Sequence, residues 1–422
     1  MDERDRALAT ELVYGVLRHR SSLDRRICDH SRRRLQSIDS VVLTALRIAI
    51  YQIDHLTRIP PAAAVNEAVR LVRSRRGRGA AAFANAILRA LCREPPGGAT
   101  GAPDPAAGHG ESDDAGALAE THSFPVHLVE RFLSRYGPGQ TRALLQTLNR
   151  PAPMVLRVTR RAGGVTDLQR RLRDEGIESV PSELLEGVLR VAGGGAPQRT
   201  SAFRDGLFYI QDEASQLVAH LLRPIAQGQS VLDLCAAPGG KLLAILDDPA
   251  AAEAIVVAAD RALERLRMLR DNGRRLGQQG HQTLVMDALR PALRRRFDRI
   301  LLDAPCSGTG IIRRHPEIRW RRDPEHFARF AAQQAELLRQ AVDLLAPGGR
   351  LVYAVCSLEP EEGSERIEAI LRERPGVILR GARELLPPEA HRLVTEDGCL
   401  FTLPQRDDLD GFFAAALECV GA

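Results

Sequence analysis

The 422 residues are enough for two or three domains, and an apolar content of 44% beside 27% charged residues excludes a disordered or fibrous chain. The formal charge of +5 is uneven: the first 95 residues alone carry about +8, a surplus that suits a polyanionic partner and that solvated helix faces would also produce. Seven cysteines without a C-x-x-C pair or a nearby His cluster argue against a disulfide scaffold and against a metal site.

No apolar run reaches transmembrane length, and the charged start MDERDRALAT is unlike a secretory signal. The expectation is a monomeric protein of the reducing cytoplasm with no membrane partner. Of the 59 basic residues only Lys241 is lysine. So complete an arginine bias looks genomic and carries no functional reading, but its single exception invites a local reason.

From residue 4 to about 93, apolar residues recur at helical spacing, first as Ala7, Leu12, Val13, Val16 and Leu17 and then over 39–55, 61–74 and 79–93. This predicts an all-α domain over 1–95. Its arginines cluster at Arg32, Arg33 and Arg34, and at Arg73, Arg75, Arg76 and Arg78 in an inter-helix turn. Residues 94–120 are rich in Gly, Pro and Ala, acidic and aperiodic, which predicts a flexible linker, bounded here at 96–122. A small α+β module is expected over 123–222. It opens with a helix start at Ser123-Phe124-Pro125 and the apolar face Val126, Leu128, Val129 and Phe132, and short strands near 155–158 and 207–210 bracket a helix near 166–175.

Over 223–422, β-type runs at 230–234, 254–260, 283–287, 297–303 and 349–355 alternate with helical stretches, predicting a doubly wound parallel α/β sheet of Rossmann-like type. In such sheets ligands bind at the carboxyl ends of the strands, and each run ends in an Asp or a Cys-containing turn. The first leads into Cys235-Ala236-Ala237-Pro238-Gly239-Gly240-Lys241, a small-residue loop that lets backbone approach a nucleotide-like cofactor. Asp260 closes the second strand, placed to accept hydrogen bonds from ribose hydroxyls, and Asp287 closes the third, near an adenine edge. Either acid alone could simply cap the following helix.

The fourth run delivers Asp303-Ala304-Pro305-Cys306 and the fifth Val355-Cys356, so two thiols are expected at the ends of neighbouring strands. Cys28, Cys92, Cys399 and Cys419 read as inert core residues. Lys241 could reach the same pocket, where a cation would favour a thiolate. Residue chemistry leaves open which of Cys306 and Cys356 attacks a substrate.

DLCAAPGGK, LLDAPCSGTGIIRRHPEIRW and LVYAVCSLEPEE closely resemble the RNA 5-methylcytosine methyltransferases of the NSUN/Sun type. RDRALATELVYGVLRHRSSLD, AAVNEAV and FANAILR look like the NusB-like RNA-binding domain that precedes the catalytic core in bacterial members. The resemblance implies S-adenosylmethionine as cofactor and a cytosine of 16S ribosomal RNA as substrate. It also implies Cys356 as the nucleophile and Cys306 as the residue promoting product release. Its cofactor residues carry over to the Cys235–Lys241 loop, Asp260, Asp287 and Asp303. Gln211-Asp212-Glu213-Ala214-Ser215 and Asp410-Gly411-Phe412-Phe413 are further signatures of the family, without a role from the residues themselves.

The chemistry fits a thiol. C5 of cytosine is a poor nucleophile until a thiolate adds at C6 to give an enamine, and Asp303 could favour that adduct from the N3 side. Leu242, Met286 and Val355 depart from the family's usual Thr, Gly and Thr, and Met286 is expected to alter the adenine pocket. A transfer-RNA cytosine methyltransferase and a non-catalytic RNA-binding assembly factor are the competing readings.

Overall fold

The helical spacing of the N-terminal stretch is realised as four helices in a computed structural model that describes residues 3–93 and 113–420. They are α1 (Glu3–Arg18), α2 (Arg20–Ser31), α3 (Ser40–His55) and α4 (Pro61–Leu91). Asp39 starts α3 by accepting hydrogen bonds from the N–H groups of Val41 and Val42 at 2.9 and 3.3 Å. The helix buries Val42, Ala45, Leu46, Ala49 and Ile50, one i, i+3, i+4 stripe, against Leu23, Ile27 and Leu88. The two periodic stretches 61–74 and 79–93 are halves of α4, broken where Gly77 takes φ +83°. Exposed Arg73, Arg75, Arg76 and Arg78 surround that break.

The expected linker is shorter than its composition suggests. Residues 94–112 lie outside the described residues, but α5 (Ala115–His122) is ordered, capped by Asp114 and followed by α6 (Val126–Leu148). Leu118 and Ala119 give α5 a buried face that the surrounding Gly- and Ala-rich composition masks. On α6, Leu128, Val129 and Phe132 are buried as expected, whereas Val126 is exposed.

The chain divides into two compact units, Met1–Arg150 with His315–Arg321, and Pro151–Arg314 with Arg322–Ala422. In the second unit, β1 (Val155–Val158), α7 (Val165–Asp174), β2 (Ile177–Pro181), β3 (Val188–Gly194), α8 (Ser201–Arg204) and β4 (Phe208–Ile210) build an antiparallel sheet in the order β2-β3-β1-β4. The β2–β3 hairpin escapes the sequence pattern because few of its positions face the core, Ile177 and Ser179 on one strand and Val188 and Leu189 on the other. The module does not stand alone. Val155, Leu184, Leu185 and Val188 share one hydrophobic core with Leu217, Val231 and Leu269 of the elements that follow.

Those elements are α9 (Glu213–Leu221), β5 (Ser230–Asp233), α10 (Gly240–Leu246), β6 (Ile255–Asp260), α11 (Leu263–Leu276), β7 (His281–Val285) and β8 (Phe297–Asp303). The chain then gives residues 315–321, including α12 (Ile318–Arg321), to the helical unit. It returns as α13 (Pro324–Asp343), β9 (Leu345–Val355), α14 (Ser364–Glu373), β10 (Val377–Arg380), β11 (Leu400–Thr402), α15 (Pro404–Asp407) and β12 (Phe412–Cys419). Strand order is β10-β12-β9-β8-β5-β6-β7, with β11 beside β12.

Strands β5 to β9 pair in parallel as expected, but β12 runs antiparallel to β9, and β10 and β11 antiparallel to β12, so the sheet is mixed. Alternate residues supply two cores: Val231, Leu301 and Val352 on one face, Leu232, Ile300 and Tyr353 on the other. Within the helical unit, Arg319 is fully buried and donates to the carbonyls of Ser123 and Leu148 and to Asn149 Oδ1, while Trp320 Nε1 donates to the Leu17 carbonyl. Among the described residues no helix is long and apolar enough to cross a membrane.

Candidate active site

The strand order reverses direction at β5: the chain proceeds to β6 and β7 on one side and then crosses to β8 on the other. Ligands of such sheets sit at the carboxyl ends beside that reversal. Asp233, Asp260 and Asp303 are the last residues of β5, β6 and β8. The loop after β5 is stitched to its neighbours by Leu234 N–H to the Leu301 carbonyl at 3.0 Å and Ala236 N–H to the Ala259 carbonyl at 2.9 Å. Asp260 accepts from the N–H groups of Ala237 at 3.3 Å and Ala262 at 2.9 Å, and Arg265 donates to the Ala237 carbonyl. Gly239 takes φ +106°, and a Cβ there would lie 2.9 Å from Leu269 Cγ, so the turn into α10 requires glycine.

Asp287 differs from expectation. β7 ends at Val285, two residues earlier, and Asp287 is exposed, its carboxylate accepting from Leu289 N–H at 3.0 Å. Met286 turns into the core with Leu234, Ala259 and Ala288, and Leu242 and Val355 are likewise buried, so these three departures are apolar core residues.

Lys241 Nζ lies 2.6 Å from Asp303 Oδ2 and 5.0 Å from the centroid of the Phe412 ring. Burial acts to lower the Lys241 pKa, but Asp303 at hydrogen-bond distance, with Cys356 and Asp233 nearby, moves it upward overall, so the ammonium stays charged. Asp233 is pushed up to about 8, first by burial and then by the like charge of Asp303. Burial also pushes the Cys235 thiol up.

Cys306 Sγ and Cys356 Sγ are 3.3 Å apart. The structure therefore brings together both sulfurs, Asp303 and Lys241, as the strand ends predicted. The hydrogen bond with Cys356, followed by burial and the charges of Glu362 and Asp303, raises the Cys306 pKa well above that of a free thiol. Of the four cysteines expected to be inert core, Cys399 is buried and Cys419 partly so, but Cys28 on α2 and Cys92, the residue that caps the end of α4, are exposed.

Two polar clusters beside the thiols carry no signal by residue type alone. In the first, buried Ser307, Ser357 and Glu362 interlock: Ser307 Oγ and Ser357 Oγ are 3.0 Å apart, and Glu362 accepts from Ser307 N–H at 2.7 Å and from Ser357 Oγ at 3.1 Å. In the second, Arg314 donates to Asp410 Oδ2 at 2.6 Å and Asp212 Oδ2 at 2.9 Å, joining the two signatures that had no role. Burial and the neighbouring Asp212 push Asp410 up to about 7 against the pull of Arg314. Beside it Gly411 N–H donates to the Gly310 carbonyl at 2.9 Å, and Gly310 N–H to the Cys356 carbonyl at 3.1 Å, so this cluster backs the Cys356 turn.

With this geometry in hand, the comparisons with known proteins are consistent along the chain. A family model described as 16S rRNA methyltransferase RsmB/F matches residues 219–418, one for the NusB family matches residues 1–93, and one for an RsmF/B-like ferredoxin-like domain matches residues 124–196. The chain is similar to ribosomal RNA small subunit methyltransferase B of Citrobacter koseri, 34% identical over 426 residues that cover 99% of this chain and 91% of that protein. The solved structure of PH0851 has a TM-score of 0.81 at 26% identity, covering 97% of this chain and 89% of that one. NSun6 from Pyrococcus horikoshii, solved with SFG, has a TM-score of 0.63 at 21% identity, covering 71% of this chain and 99% of that one, and shares the fold.

Proposed function

The chain belongs to the 16S rRNA methyltransferase RsmB/F family, and from that premise we propose that it methylates C5 of a cytosine in small-subunit ribosomal RNA, with S-adenosylmethionine as the methyl donor. The observation that carries this reading is the pair of sulfurs 3.3 Å apart beside the Lys241–Asp303 ion pair. One thiol can attack in a covalent addition, and a second beside it can assist the reversal, the division of labour that the family resemblance implies.

The donor set fits the cofactor. Asp233, Asp260 and Asp303 are close enough that the latter two raise the Asp233 pKa, an acid-rich pocket that suits a sulfonium and an ammonium. SFG in NSun6, an analogue of S-adenosylmethionine on the same fold, supports the assignment. The Cys235–Lys241 loop, Asp260, Asp287 and Asp303 would hold it. When bound, it supplies an electrophilic methyl group.

The chain's own residues do the rest. The Cys356 thiolate adds through sulfur to C6 of the cytosine, the 5,6 double bond becomes single, and its electron pair shifts to C5 in conjugation with C4 and N3, giving an enamine with a nucleophilic C5. Lys241, charged and electrostatically linked to Cys356, favours the thiolate. Asp303 faces N3 and the exocyclic amine and favours the adduct by hydrogen bonding. Once C5 is methylated its proton passes to water, the C5–H electron pair re-forms the 5,6 double bond, and the sulfur–C6 bond breaks with its pair returning to Cys356 as thiolate, Cys306 assisting. The arginines of the NusB-like region bind backbone phosphates, and the target base enters the pocket flipped out of its stack.

Cys356→Ala is expected to abolish methyl transfer to a small-subunit ribosomal RNA transcript while retaining cofactor binding. Cys306→Ala is expected to accumulate a covalent protein–RNA complex, visible as a retarded band on a denaturing gel. Turnover by Cys356→Ala would overturn the assignment. Transfer-RNA transcripts run beside it test the choice of substrate, and bisulfite sequencing of the product locates the cytosine.

A further inference from the structure

Glu362 is fully buried in the turn after β9, and each of its carboxylate oxygens serves a different catalytic turn. Oε2 accepts from the N–H of Ser307, the residue after Cys306, at 2.7 Å, and Oε1 accepts from the hydroxyl of Ser357, the residue after Cys356, at 3.1 Å. The grip is itself supported. Gln334 on α13 donates to Oε2 at 2.9 Å and to the Pro305 carbonyl at 2.8 Å, and Tyr353 on β9 donates its hydroxyl to the Glu362 carbonyl at 2.6 Å. Thr309 Oγ1 accepts from Leu358 N–H at 2.9 Å and lies 3.4 Å from Ser357 Oγ, closing the polar ring.

Burying a carboxylate costs several kcal/mol unless donors surround it, and here three do. A carboxylate offers each turn an acceptor oxygen at once, one for the Ser307 N–H, which can only donate, and one for the Ser357 hydroxyl. A neutral amide would present a donor to one of them.

We propose that Glu362 is the positioning residue of the two-thiol site, setting the spacing of Cys306 and Cys356 by holding the residue that follows each. This rests on the reading of Cys356 as nucleophile and Cys306 as release residue. The hydrogen bond with Cys356 and burial raise the Cys306 pKa, and the nearby Glu362 carboxylate acts in the same direction. Loss of the grip impairs release more than attack, because Cys356 directly follows β9, which is held between β8 and β12, whereas Cys306 lies three residues beyond the end of β8.

The test uses the full-length protein, S-adenosylmethionine and an unmethylated small-subunit ribosomal RNA transcript. For Glu362→Gln, kcat is expected to fall about 10- to 100-fold, the scale of an ångström-level misplacement, with RNA KM and cofactor Kd within about twofold of the parent. The covalent band expected of Cys306→Ala should also appear. Should Glu362→Gln not fold, Gln334→Ala removes the support of the grip on the Cys306 side, its bonds to Oε2 and to the Pro305 carbonyl, and should show the same band at lower intensity. Wild-type kcat in the folded variant, or a fall in kcat that merely follows Tm and cofactor affinity without the band, would overturn the proposal. Cys356→Ala in the same panel separates the two claims: a covalent band there sinks the nucleophile assignment, whereas its absence beside a wild-type-like Glu362→Gln sinks only the role of Glu362.

Discussion

Asp233 shows how one residue can be set by neighbours that are distant in sequence. It is 1% exposed and accepts from Cys235 N–H at 3.3 Å, and burial together with Asp303 holds its pKa at about 8 against an ordinary value of 3.8. Between these two values the unfolded chain releases a proton that the folded chain keeps, so this group lowers stability as pH rises from about 4 to about 8. Asp233→Asn keeps an acceptor for Cys235 and removes the titration. Its advantage in Tm over the parent should therefore widen from pH 4 to pH 8, and an equal offset at both values would show that the acid is not held protonated. Residue type and strand-end position made Asp303, Cys306, Cys356 and Lys241 legible in the sequence. Glu362 was not, because its importance lies in having one oxygen for each of two turns.

At the level of elements, the catalytic turns depend on strands that the alternating pattern does not reveal. β12 brings Phe412 beneath Lys241 and, just before it, Gly411 against Gly310. A Cβ on Gly310 would lie 2.0 Å from the Gly411 carbonyl oxygen, so Gly310→Ala must push the lead-in to β12 away from the Cys306 turn. The expected cost is about 1–3 kcal/mol, read as a lower Tm, with a loss of methyl transfer larger than that of cofactor binding. Unchanged Tm and activity would mean that the two backbones can part freely. The middle module is bound to the sheet domain in the same way: Arg275 on α11 donates to the carbonyls of Phe203 and Phe208 at 2.9 and 3.1 Å, and Arg157 on β1 pairs with Asp247 at 3.1 Å. These ties join residues about 70 to 90 positions apart, beyond the reach of any local period.

For the whole molecule, the arginines around the α4 break are one accessible part of the N-terminal charge surplus, beside exposed Arg32, Arg33 and Arg34. Arg76 pairs with Asp39 at 2.8 Å, which leaves Arg73, Arg75 and Arg78 as the better test. Replacing these three with Gln should weaken RNA binding and flatten the dependence of log K on log salt by about 0.7–0.9 for each phosphate that is no longer neutralised, with cofactor Kd unchanged. An unaltered slope would place the RNA elsewhere. Point substitutions serve better than truncation. Residues 315–321 belong to the helical unit, and removing residues 1–95 would strip Trp320 of its Leu17 acceptor and disturb the fully buried Arg319 beside it.

Local sequence was sufficient for the helical N-terminal region, the parallel strands β5 to β9 and the placing of Asp303, Cys306 and Cys356 at or just beyond strand ends, because apolar period and strand-end chemistry are properties of short stretches. Three features depended on tertiary structure. The first is the antiparallel return of β12, whose run of small residues FFAAAL matches either direction until β9 is beside it. The second is the contribution of residues 315–321 to a unit whose helices begin some 300 positions away. The third is the meeting of Cys306 and Cys356 across 50 residues at 3.3 Å, held by one carboxylate. In each case the energy comes from burial and hydrogen bonding between segments that become neighbours only when the chain has folded.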